Sequence, residues 1–200
     1  MGFLLGVGPW STAAGASEPS AIEEPAGAVV LIGTGGISWS DVDESTTPNL
    51  WLLLRDGSSA ALSVRSVNSN TCPIDGWLGV SPGSRAAAER TGDADNPANR
   101  PCPPPPAVSD DGAVPEGPAY VSAAEDRRFV AELGLLGETA AAGGRCIKAV
   151  QPYAAVGGAR ETGQVEHYSA WTEQTMLEDL NACPVTIVDV GSLRDPDDVA

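Results

Sequence analysis

The stretch VVLIGTGGISWSDV, Val29 to Val42, places a glycine-rich turn, Gly33 to Gly36, behind the apolar run Ala28 to Ile32. Glycines after a strand let backbone N–H groups approach a phosphate. This turn has neither the full GxGxxG spacing nor a P-loop lysine, so it marks a sheet edge more than a particular ligand. A second apolar run, PVTIVDVG, closes on Asp189. A carboxylate at a strand end caps the turn that follows, here into Gly191 and Ser192. His167, in GQVEHYSAW, is the only histidine and reads as an exposed or hydrogen-bonded loop residue. A two-metal zinc centre needs several His and carboxylate ligands, and this chain lacks a standard set.

Other reactive types cluster in TCPIDGWLGVSPGSRAA. Asp75 and Arg85 lie ten residues apart there and can pair to hold the loop, or Arg85 can meet an anion. Trp77 reads as a core anchor. The cysteines are Cys72, Cys102, Cys146 and Cys183, with no zinc-knuckle spacing and no histidine beside them in sequence. Four cysteines allow three pairings. The preferred one is Cys72–Cys102, closing a proline-rich loop, with Cys146–Cys183 joining the entries of two strands.

The elements that must carry these residues alternate in type. Ala28 to Ile32 reads as a buried strand. TTPNLWLLLRDG reads as a helix with Thr46 or Thr47 at its N-cap, Pro48 at its first position and Gly57 at its stop. Leu50, Leu53 and Leu54 form its apolar face. SAALSVRSV alternates like a half-buried strand. Helices are expected over Ser84 to Arg90, over roughly 123–142 and over Thr172 to Asn181. RCIKAVQPYAAVG and PVTIVDVG are expected strands. Residues 91–118 are rich in Pro, Asp and Gly and read as a surface loop without a core. The expectation is an α/β fold with a mostly parallel sheet flanked by helices, spanning 28–195, with leader and linker over 1–27 and a tail over 196–200.

The chain has 200 residues, enough for one domain, and carries 11 basic against 27 acidic residues for a net charge of −16. That surface repels nucleic acid. No apolar stretch is long enough to span a bilayer. Phe3 to Val7 followed by Ala14-Gly15-Ala16 fits a short leader with a small-x-small cleavage site. With an even cysteine count, this points to an extracytoplasmic protein. The Ala, Gly, Pro and Arg usage fits a high-GC genome.

On VVLIGTGGISWSDV, TTPNLWLLL, TCPIDGWLGVSPGSRAA and CPVTIVDVGSL, the sequence resembles the alkaline phosphatase superfamily. Within it, the sequence is similar to a group of exported actinobacterial proteins. The resemblance implies a larger α/β domain of which this chain is an N-terminal part. It places Thr71 at the nucleophile position, opening a helix whose N–H groups face an oxyanion. It places Gly35 where the first acidic metal ligand stands, and Asp189 among the metal ligands. Asp41 lies six residues beyond Gly35 and is a poor substitute. Paired metal ions, commonly zinc, activate the nucleophile in that superfamily. A glycine offers no such ligand.

The expected function is therefore an exported phosphatase-like protein with a degenerate, inactive or weakly active site. Its partner is an anionic small molecule or envelope component, bound around Gly35, Gly36, Asp75 and Arg85. No cofactor is certain; zinc or another divalent metal applies if the site is active. The alternatives are a phosphoryl or sulfuryl ester hydrolase completed by a downstream part, and a structural module of the cell envelope.

Overall fold

The computed structural model describes residues 27–61, 66–92, 100–126 and 131–192. Among them β1 (Val29–Gly35), β2 (Ile147–Val150), β3 (His167–Ser169) and β4 (Val185–Ser192) form a single sheet in the order β1-β4-β2-β3. Every neighbouring pair is parallel. The helices are α1 (Pro48–Asp56), α2 (Pro73–Val80), α3 (Gly117–Glu125), α4 (Leu135–Ala142), α5 (Pro152–Gly158) and α6 (Met176–Asn181). The α/β class and the parallel sheet expected from the alternating pattern are present.

The core lies on the face of β2 and β4 covered by α5, with α2 packed over α5. Ile147, Ala149 and Ile187 are buried there with Ala154, Ala155 and Val165. Small residues let α5 sit close to the sheet. A Cβ on Gly157 would come 2.9 Å from Trp77 Cε3, and one on Gly33 would collide with the same indole. Trp77 is thus the anchor expected, wedged between a strand glycine and a helix glycine. On the opposite face, Lys148 and Thr186 meet α6. Lys148 Nζ lies 2.9 Å from Asp179 Oδ1, and both side chains are buried. Thr175 Oγ1 donates to Asp179 Oδ2 at 3.0 Å. Burial works against the Asp179 charge, yet its hydrogen bonds, that from Lys148 foremost, outweigh it and hold the carboxyl below its usual range.

Cys72 is bonded to Cys102 and Cys146 to Cys183, the two preferred pairs. In the chain-entropy picture, loops of this length contribute about 3–4 kcal/mol each.

Several elements differ from expectation, each for a local reason. Ser84 to Arg90 is not helical. Ala86, Ala87 and Ala88 are all buried, which no single helix face achieves, and the Ala88 N–H donates to Asp75 Oδ1 at 2.9 Å. The helix instead begins at Pro73. In place of the helix expected over 123–142, α3 stops at Glu125 and α4 starts after Gly134, whose φ of 94° a side chain tolerates poorly; residues 127–130 lie outside the described residues. RCIKAVQPYAAVG is strand only to Val150. Gln151 (φ 81°) turns the chain and Pro152 opens α5. The helix expected from Thr172 starts at Met176, because Thr172 and Thr175 bond side chain to side chain in a turn at 2.6 Å. The loop 91–118 does reach the core: Val114 is buried, and Ala113 bridges Gln164. The centre of SAALSVRSV lies outside the described residues.

The expected burial of β1 and α1 is absent. α1 starts and stops as read, with Thr47 at its N-cap and Gly57 at its C-cap, but it buries no residue and Leu53 is 66% exposed. Val29 to Ile32 are 41–58% exposed. The cause for β1 is position: among the described residues it is the outer strand and pairs with β4 alone.

Candidate functional site

Two strand ends and one helix start meet at the carboxyl rim of the sheet. β1 and β4 run in register from Val29–Val185 to Gly33–Asp189, then slip so that Gly35 faces Ser192. Thr34 Oγ1 donates to the Gly191 carbonyl at 3.0 Å, fastening the two ends. Beside them α2 begins at Pro73, preceded by Thr71 and Cys72. A cavity of about 440 Å³ opens between these parts, lined by Gly35, Thr71 and Asp189 along with Thr34, Trp77 and Ser192. The carboxyl rim of a parallel sheet is the usual ligand edge of such folds. Three residues widely separated in sequence share this cavity.

Each has a clear local setting. Thr71 is exposed to the cavity. Asp189 is half-buried, and its Oδ1 accepts the Gly191 N–H at 3.2 Å, so it caps the turn while still facing the space. Gly35 has room around it: a Cβ there would meet only Ser192, at 3.8 Å from Oγ. Steric demand does not explain glycine at this position.

Three expected binding residues, Asp75, Arg85 and Gly36, do not line the cavity. Asp75 is buried, and its carboxylate is fully engaged. Oδ2 accepts the Cys72 N–H at 2.9 Å, Oδ1 accepts the Ala88 N–H, and the charge is paired with buried Arg90. Its ion-pair partner is Arg90 and not Arg85, because the non-helical path of Ala86–Ala88 carries Arg90 back to α2. Asp75 therefore shapes the helix start and is not available to a ligand. Arg85 is half-buried on that segment and does not line the cavity. Gly36 (φ 77°) turns the chain away just past the rim.

Among the described residues the cavity wall offers one carboxylate, Asp189, with hydroxyls and apolar surface, and no histidine, lysine or arginine. This set does not fit a two-zinc centre, which takes several imidazoles and carboxylates. His167 does not line the cavity. It opens β3 opposite Lys148, at the amino edge of the sheet, and is a strand residue, not the loop histidine expected.

A second cavity, about 490 Å³, shares Asp189 and Gly191 and is lined on its other side by Gln151, Tyr153 and Trp171. Burial, with the Asp189 carboxylate behind it, pushes the Tyr153 phenol up. Asp189 thus divides two spaces. Periodicity could not show this, since Trp171 follows a three-residue strand too short to leave a pattern. No family model, curated protein or solved structure matches this chain.

Proposed function

We propose that this chain is an exported, phosphatase-like binding protein of the cell envelope with a degenerate site, which holds an anionic ligand without turning it over. The observation that carries the proposal is the sharing of one cavity by Thr71, Asp189 and Gly35; the family resemblance, which puts a metal-ligating carboxylate where Gly35 stands, supplies the reading of that cavity as degenerate. Thr71 there has a hydroxyl but no histidine or metal-ligand set beside it, and an unactivated hydroxyl is a weak nucleophile at neutral pH. The two disulfides support an oxidising, extracytoplasmic location. Among the described residues no helix is long and apolar enough to cross a membrane.

Charge refines the ligand. A bare anion would meet Asp189 on a chain of net charge −16. The ligand is therefore a phosphorylated compound that enters with a divalent cation, to which Asp189 offers one carboxylate while the ligand's own phosphate oxygens and water supply the rest. Calorimetric titration with glycerol phosphate, with and without calcium, tests this. Binding is expected only with calcium and is lost in Asp189→Asn, and a chromogenic phosphate ester stays intact. Thr71-dependent hydrolysis, or binding indifferent to Asp189→Asn, overturns the reading.

A second reading has a hydrolytic site completed by ligands from a further polypeptide segment. The open apolar edge of β1 favours it. It predicts that turnover abolished by Thr71→Ala appears only in a longer chain.

A further inference from the structure

The amino edge of the sheet holds a grouping that the cavity does not use. Cys146 immediately precedes β2, Cys183 lies two residues before β4, and His167 opens β3. These three strands are neighbours, with Ile147 opposite Val185 and Lys148 opposite His167. The register therefore brings two sulfurs and one imidazole together from segments that are distant in sequence. One ligating atom from each lies within 4.8 Å of the others. Cys183 is buried, Cys146 half-buried and His167 exposed, so the group is rooted in the core and open on one side. Among the described residues no histidine or carboxylate forms such a group with Cys72 and Cys102.

We infer that Cys146, Cys183 and His167 form a redox-gated zinc site, closed as a disulfide and opened by reduction. Two thiolates and an imidazole are a donor set that zinc prefers. With Zn–S bonds of about 2.3 Å, a tetrahedral zinc holds its two sulfurs roughly 3.8 Å apart. The Cα atoms stand 5.3 Å apart, a spacing that serves this arrangement as well as the disulfide.

The chemistry balances with a dithiol as reductant. One thiolate of the dithiol attacks a sulfur of the Cys146–Cys183 bond, and its second thiol resolves the mixed disulfide. Two electrons and two protons pass to the protein, and the dithiol leaves as a disulfide. Zinc then displaces both thiol protons to solvent and takes the neutral His167 nitrogen as third ligand. Water fills the fourth position on the exposed side. The site lies on the sheet edge opposite the Thr71 cavity, so it does not depend on the proposed function.

The test uses the full chain, reduced with a phosphine that is then removed without air. Zinc is titrated in competition with a chromogenic chelator, and cobalt is substituted to read thiolate-to-metal absorption. Reduced protein is expected to bind one zinc per chain, roughly 100-fold more tightly than oxidised protein. His167→Ala, at an exposed position, leaves the circular dichroism spectrum unchanged and weakens zinc by about tenfold or more. Cys146→Ser removes the thiolate–cobalt band. Equal binding by oxidised protein, affinity unchanged by His167→Ala, or a cobalt band surviving Cys146→Ser overturns the inference; the last would assign the metal to Cys72 and Cys102.

Discussion

Gly35 and Asp179 show how single residues decide what this molecule does and withstands. Gly35 lines the cavity with space for a side chain. Gly35→Asp is expected to fold and to raise calcium affinity at least about tenfold by adding a second carboxylate to the cavity that Asp189 lines; calorimetry measures it. Asp179 neutralises Lys148, the chain's only lysine, inside the protein. Asp179→Ala leaves an unpaired buried cation and should cost about 3–5 kcal/mol in urea unfolding. The pH dependence follows from the lowered carboxyl. Its folded pKa lies below the unfolded value of about 3.9, so its stabilisation is complete above roughly pH 4. It is lost as the pH falls through the folded pKa, an effect that unfolding measured from pH 6 to pH 2 should show and Asp179→Asn should lack. Residue identities were the most readable part of the chemistry. Asp189 stands out at the end of an apolar run, and Cys72 and Cys146 pair as loop closure favours. The engagement of Asp75 is not legible in sequence, because its ion-pair partner depends on how Ala86–Ala88 travel, and that is a tertiary fact.

Elements were legible where one force set them. α1 carries its own signals, Pro48 inside the start and Gly57 at the stop, and forms between those bounds. β4 is mostly apolar, is buried from Thr186 to Val188 and sits mid-sheet. Failures came where packing overrode propensity. The alanines after Ser84 favour helix, but three buried methyls and a captured N–H hold them in another shape. β3 has three residues and no apolar alternation, so only its pairing with β2 defines it. The α2–α5 contact rests on Trp77 reaching glycine backbone. Gly157→Ala should therefore destabilise by about 1–3 kcal/mol through overpacking. Thermal unfolding reads the loss, and a simultaneous Trp77→Phe should recover part of it.

For the whole molecule, the two edges of one parallel sheet carry different chemistry. The carboxyl edge holds the hydroxyls, the glycines and Asp189; the amino edge holds the Cys146–Cys183 disulfide and the histidine. The α/β class was readable from the alternation of strands and helices. The openness of β1 was not, because an apolar run looks the same whether or not anything covers it. Each disulfide closes a long loop across this architecture. Replacing Cys72 and Cys102 with serine should cost about 2–5 kcal/mol, measurable in urea. The central claim is that Gly35, Thr71 and Asp189 act as one binding place. The most direct measurement is a nuclear magnetic resonance titration of the isotope-labelled chain with calcium glycerol phosphate. The account predicts that the amides of Gly35, Thr71 and Gly191 shift together with a single dissociation constant. Shifts confined to other parts of the molecule, with these three unmoved at saturation, would contradict it.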